Sequence, residues 1–291
     1  MNKPRPLALC FGEILWDFLP DGLFLGGASL NAAYHMHHHG VDARVISAVG
    51  RDVLGEELLR RCTNWGLATD GIARLDHAPT GHVRVAIGDN GDARFDIVTD
   101  VAWDKISATE AILRAAARAD AFVFGSLAQR SIENRIALER LLAALPKHAL
   151  RVFDANLRPP YDDLELVHLL ARKATVFKLN ATEAARLAAN ETEKPGREEA
   201  HTRRLAEMSG CGIVAITAGA RGAGLVRDGR WVWEPGQPVK VADTVGAGDA
   251  FVASLVANLL QGEMQDGEIL SRACRLGEWV ASQRGGTPAY D

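Results

Sequence analysis

The chain has 291 residues, 47% hydrophobic and 24% charged, with a formal net charge of −4 at pH 7. That apolar supply supports one large α/β domain or two small ones, and the slight acidity, with no basic block, argues against a nucleic-acid surface. No run approaches the roughly 18 apolar residues of a membrane span. The opening Met1-Asn2-Lys3-Pro4-Arg5-Pro6 leads into too short an apolar stretch for a signal peptide. Cys10, Cys62, Cys211 and Cys274 are dispersed and form no Cys-x-x-Cys pair. They read as reduced, mostly buried thiols of a cytoplasmic protein.

Taken in order, Leu7–Phe11 reads as a buried strand, Leu30–His39 as a helix, Ala43–Val49 as a strand and Val53–Trp65 as an amphipathic helix. The rhythm resumes with strand Ala121–Phe124, helix Ser131–Leu145, strand Leu150–Asp154 and helix Leu164–Lys173. Strand Thr175–Leu179, helices Ala181–Ala189 and Arg197–Ser209 and strand Gly212–Thr217 follow. Apolar strands alternating with amphipathic helices predict a mostly parallel, doubly wound sheet covered on both faces. Leu15–Gly26 and Ile72–Val101 break the rhythm, holding no convincing helix. Val83–Ile87 and Ala93–Ile97 alternate in polarity around Gly88-Asp89-Asn90-Gly91-Asp92, the pattern of a β-hairpin. The expectation is one domain spanning 1–291, with a small β-sheet lid formed by about 15–26 and 72–101. Polar Asn190–Arg197 reads as a surface turn.

The chemistry concentrates in Asp243-Thr244-Val245-Gly246-Ala247-Gly248-Asp249, which leads into the apolar helical run Ala250–Leu260. Glycines let the backbone approach a ligand. The unpaired N–H groups opening a helix, with its dipole behind them, suit a phosphate or a developing negative charge. Asp249, in the first helical turn, can take the proton of a hydroxyl nucleophile. No Walker A loop is present, so the familiar phosphate-binding lysine is missing. Alone, such a loop is hard to tell from a helix start packed through glycines. A second cluster, Gly26-Gly27-Ala28-Ser29-Leu30-Asn31, sets paired glycines and an amide at another helix start. Asp17 lies just upstream among apolar neighbours and is suited to accept hydrogen bonds from vicinal hydroxyls.

Together these clusters resemble the two signatures of the PfkB (ribokinase-like) family of carbohydrate kinases. The resemblance runs collinearly through Gly50–Gly55, Asp154–Pro160, Lys178–Glu183 and Thr217–Gly222. It implies that Asp249 is the catalytic base and that the amides of Gly246, Ala247 and Gly248 form an anion hole. Asp17, Gly27 and Asn31 correspond to sugar-binding positions, and Arg158 is suited to clamp phosphate charge. Asn180 and Glu183 correspond to nucleotide and Mg²⁺-site positions, Glu183 acting through water. Thr217, Gly219 and Gly222 belong to the loop that meets ATP. A monovalent cation, K⁺, would sit at Asp243 and the Val245 carbonyl, with Gln283–Gly286 as the other wall.

The resemblance implies an ATP- and Mg²⁺-dependent kinase acting on a primary hydroxyl of a small sugar. Phe124–Ala128 and Asn156–Pro160 look most like bacterial fructokinases, which makes fructose the first choice. The competitor is 2-keto-3-deoxygluconate, whose carboxylate Arg84 or Arg94 on the lid hairpin could meet. A non-catalytic sensor is disfavoured, because the base and both motif glycines are intact. Edge-strand logic raises a homodimer formed through the lid. His35, His37, His38 and His39 depart from the family pattern. His35 and His39 share a helix face as metal ligands would, but no Cys or carboxylate cluster completes a site. The run is therefore expected to be a partly exposed helix end.

Overall fold

The protein, described by a computed structural model at residues 4–19, 22–87, 93–262 and 264–290, is built on a nine-stranded sheet beside a separate four-stranded one. The elements in chain order are β1 (Leu7–Phe11), β2 (Leu15–Leu19), β3 (Gly22–Gly26), α1 (Ala28–His38), β4 (Asp42–Gly50) and α2 (Val53–Asn64). Next are β5 (Ile72–Leu75), β6 (His82–Ile87), β7 (Ala93–Ile97), α3 (Glu110–Ala116), β8 (Ala121–Gly125) and α4 (Ile132–Ala144). They continue with β9 (Leu150–Asp154), α5 (Leu164–Ala171), β10 (Val176–Asn180), α6 (Ala181–Ala189) and α7 (Glu198–Ser209). The chain finishes with β11 (Ile213–Thr217), β12 (Gly222–Arg227), β13 (Arg230–Pro235), α8 (Ala247–Gln261) and α9 (Asp266–Ala281).

The large sheet runs β13-β12-β11-β10-β9-β8-β1-β4-β5. From β11 to β5 every pairing is parallel, and β12 and β13 add an antiparallel edge. Because side chains alternate along a strand, each central strand feeds two cores. Ala8, Cys10, Ala121 and Val123 pack under α1, α2, α8 and α9, whereas Leu9, Phe11, Phe122 and Phe124 pack under α3 to α7. On that second face Phe124, Phe153 and Phe177 stack with ring centroids 5.3 and 5.2 Å apart. The strand order reverses at β1, which has β4 on one side and β8 on the other. In an open α/β sheet such a switch leaves a crevice at the carboxyl ends of the strands.

The second sheet, β3-β2-β6-β7, joins two hairpins through the parallel pair β2–β6. The expected pairing of 83–87 with 93–97 holds, while its turn at 88–92 lies outside the described residues. One boundary needs correction. Ile72–Leu75 belongs to the large sheet, not to the small one, because it adds in parallel to the open edge of β4. Only four residues long, it owes its strand conformation to that edge. The β12–β13 hairpin and the helices α3 and α9 are additions to the elements expected from the sequence. Asp228 and Gly229 both have positive φ (49° and 77°), as the two central residues of a type I′ hairpin turn must. All four cysteines are free and buried.

Candidate active site

Helices α1 and α8, which carry the two signatures, pack against each other over the first core. Residues Ala250–Asn258 of α8 are buried all round, so its N-terminal turn is anchored in a helix that cannot tilt freely. Gly246 caps it at φ 76°, and a Cβ there would lie 2.4 Å from the Cα of Gly286. The Val245 N–H donates to Asp243 Oδ1 at 3.0 Å. Ala247 N–H reaches back to the Thr244 carbonyl at 3.4 Å, while the N–H groups of Gly246, Gly248 and Asp249 have no protein acceptor among the described residues. Of the three expected anion-hole amides, Ala247 is thus the one partly engaged.

Asn31 and Asp249, 218 positions apart, meet directly: Asn31 Nδ2 donates to Asp249 Oδ2 at 2.8 Å. The other amide atom, Asn31 Oδ1, is buried without a partner. Burial raises the pKa of Asp249 to about 6, against the pull of Asn31, and Asp154 adds to the rise while Lys178 and Arg158 oppose it. Burial likewise raises Asp17 to about 6, with Arg158 lowering it and Asp243 and Asp249 raising it. Asp17 needs its neighbouring glycine, since a Cβ on Gly26 would fall 2.4 Å from Asp17 Oδ2. Gly27 opens α1 at φ 101°, and its missing Cβ is what lets the Glu13 carbonyl approach. Asp17, Asn31, Arg158, Asp243 and Asp249 therefore share one electrostatic neighbourhood.

The loop residues expected at the nucleotide lie on the other side of the same turn. Thr217, Gly219 and Gly222 line a cleft of about 480 Å³ together with Thr244, Ala247 and Gly248, a size that suits a small-molecule ligand. A Cβ on Gly222, at φ 117°, would lie 2.0 Å from the Glu234 carbonyl oxygen. Asn180 and Glu183 do not line this cleft. They form a capping box on α6, with Asn180 Oδ1 accepting from Glu183 N–H and Glu183 Oε2 accepting from Asn180 N–H, both at 2.8 Å. Glu183 Oε1 accepts from Leu157 N–H at 2.7 Å. Both oxygens of this buried carboxylate thus hold backbone, and each keeps a second lone pair for water. Among the described residues no three His, Cys, Asp or Glu side chains converge to hold a metal. Hydrated Mg²⁺ fits such a setting, because it keeps most of its waters and is held largely through substrate phosphates.

Two site residues, Lys178 and Glu13, have no role in the sequence reading. Lys178 is buried, paired with Asp154 at 3.1 Å, and sits where a Cβ on Gly248 would be 3.0 Å from its Nζ. Burial works against its charge, but Asp154, Glu183 and Asp249 outweigh it and raise the pKa. Lys178, on β10, thus sets a cation beside the turn at Gly248. A charged residue inside Val176-Phe177-Lys178-Leu179 was the available signal. Glu13, also buried, lines a small cavity with Ser29, Asp154, Asn156 and Asp249, and burial pushes it up to about 7. The histidine run needs correction too. His38 and His39 are exposed, but His35 is completely buried because α1 turns it inward beneath the C-terminal segment.

Comparison with known proteins agrees with this architecture. Residues 22–289 match the pfkB family carbohydrate kinases. Fructokinase-2 of Oryza sativa subsp. japonica is 27% identical over 310 residues, covering 97% of this chain and 90% of its own. An uncharacterized sugar kinase of Pyrococcus horikoshii, solved in complex with ATP, superposes with a TM-score of 0.81 at 25% identity, over 97% of this chain and 94% of that one. A fructokinase double mutant of Vibrio cholerae O395, solved with fructose, ADP and a potassium ion, gives a TM-score of 0.82 at 20% identity, over 99% and 96% of the two chains. With nearly its whole length matched, the chain belongs to the pfkB family of carbohydrate kinases.

Proposed function

We propose that this carbohydrate kinase transfers the γ-phosphoryl group of ATP to a primary hydroxyl of a small sugar, with fructose the first choice. The observation that carries the reading is Asp249: a half-buried carboxylate at a helix N-terminus with free amides, hydrogen-bonded to Asn31 and adjoining a nucleotide-sized cleft. Asp17 and Asn31 orient the acceptor sugar through its hydroxyls. Asp249 accepts the proton of the attacking hydroxyl as the oxygen closes on the γ-phosphorus. The amides opening α8, together with Lys178 and Arg158, stabilise the negative charge that accumulates on the transferred group. Thr217, Gly219 and Gly222 seat the nucleotide. Mg²⁺, when bound with ATP, neutralises charge on the β- and γ-phosphates, and Glu183 would reach it through water.

The fructokinase names among the relatives support the choice of fructose. The alternative, 2-keto-3-deoxygluconate, gains nothing from Arg84, which is exposed on β6 but pairs with Phe18 and so leaves the face of the small sheet opposite to that of Asp17. A coupled ATP-consumption screen over fructose, ribose, 2-keto-3-deoxygluconate, tagatose and adenosine separates them. Fructose is expected to give the highest kcat/KM. Preference for the acid would transfer the assignment to 2-keto-3-deoxygluconate.

A further inference from the structure

His35 is the one member of the histidine run that the fold hides, and its two ring nitrogens are both engaged. Nε2 lies 2.9 Å from the carbonyl oxygen of Gly286, and Nδ1 lies 2.7 Å from the Tyr290 hydroxyl oxygen. A carbonyl only accepts, so Nε2 carries the hydrogen, and Nδ1 accepts from the tyrosine. Next to it on α1, Tyr34 donates its hydroxyl to the Pro288 carbonyl at 2.7 Å. The segment 286–290 is thus bound to α1 through side chains more than 250 positions away in sequence.

The segment held in this way forms a wall of the active site. A Cβ on Gly286 would come 2.7 Å from Asn31 Nδ2, the atom that donates to Asp249. A Cβ on Gly246, the cap of α8, would come 2.4 Å from Gly286 Cα. Gly285 N–H donates to Asp243 Oδ2 at 3.2 Å. Gly286 is therefore wedged between both signatures, touching each through backbone that only glycine allows.

We propose that His35 is a positioning residue: with Tyr290 it presses the Gly286 backbone against Gly246 and Asn31, and so fixes the first turn of α8 and the Asn31–Asp249 hydrogen bond. The proposal rests on reading 243–249 as the phosphoryl-transfer loop. A small displacement of that turn matters most when charge develops, and less when substrate binds. The expected signature is a fall in kcat with little change in KM.

The test compares His35→Leu, His35→Gln and Tyr290→Phe in the full chain, with Asp249→Asn assayed in parallel. His35→Leu removes both bonds, whereas a glutamine amide still donates to Gly286. His35→Leu is expected to lower kcat by about 10- to 100-fold, with both KM values within about twofold of the starting enzyme. His35→Gln should restore most of kcat, and Tyr290→Phe should lie between. A folded His35→Leu enzyme with undiminished kcat, or a His35→Gln enzyme no better than His35→Leu, overturns the proposal. If His35→Leu does not fold, Tyr290→Phe decides: reduced kcat at unchanged KM supports the role, and undiminished kcat overturns it. Full activity in Asp249→Asn would instead show that the reading of the loop itself is wrong.

Discussion

At Asp249 burial and hydrogen bonding pull in opposite directions, and burial wins, leaving a pKa of about 6. A base with that value is ionised at neutral pH yet still able to take a proton, the compromise general-base catalysis favours. Below pH 6 the carboxyl is protonated, so kcat/KM is expected to fall about tenfold per pH unit. A profile flat down to pH 4.5 would remove Asp249 from the base role. Glu13 poses a different question, that of stability. Its folded pKa of about 7, raised by burial, exceeds the ordinary 4.5, so the folded chain keeps a proton that the unfolded chain has lost. Its contribution is full below pH 4.5 and is lost as pH rises through 7, a change of about 3 kcal/mol. Glu13→Gln should therefore flatten the loss of stability between pH 5 and pH 8. Thermal melts at the two pH values check this, and parallel losses in both proteins would count against it.

The helix starts show how an element imposes its demands on single residues. Gly246 must be glycine twice over: φ 76° is a left-handed conformation, and Gly286 occupies the space a side chain would need. Gly246→Ala is expected to cost about 1–3 kcal/mol. It should also lower kcat more than that loss of stability explains, because the amides at the start of α8 must shift. Urea melts and steady-state kinetics on the same preparation separate the two effects, and an alanine enzyme with unchanged stability would contradict the packing of Gly286 on this turn. Such demands explain why the paired glycine signatures were legible in the sequence. Elements without a local demand were not. Ile72–Leu75 is a strand because β4 has an open edge, and Lys178 is tolerated in a buried strand only because Asp154 lies beside it. The Asp228-Gly229 turn, by contrast, is a local demand, since both of its residues take positive φ.

Across the whole molecule the turn at 243–249 is held between α1, the large sheet and the C-terminal segment, and the loop at Asp243 is drawn to that segment by the Gly285 N–H. Asp243 and the Val245 carbonyl offer the hard oxygen donors that a monovalent cation takes. Activity is therefore expected to be higher in potassium than in sodium or in a buffer free of both. Equal rates in the three conditions would dispose of the cation site.

The sequence by itself determined the alternation of strands and helices, the four-stranded sheet's second hairpin, and the two glycine signatures, because period, turn chemistry and backbone freedom are local properties. It also marked Asp17 as a carboxylate among apolar neighbours, and Asn31 and Asp249 as polar groups at glycine-rich helix starts. Only the tertiary structure decided that Asn31 touches Asp249, that Lys178 stands beside Gly248, and that His35 lies buried under the chain's end. Those contacts join residues tens to hundreds of positions apart, and no periodicity or composition along the chain specifies which distant groups will share a site once the sheet has closed around its core.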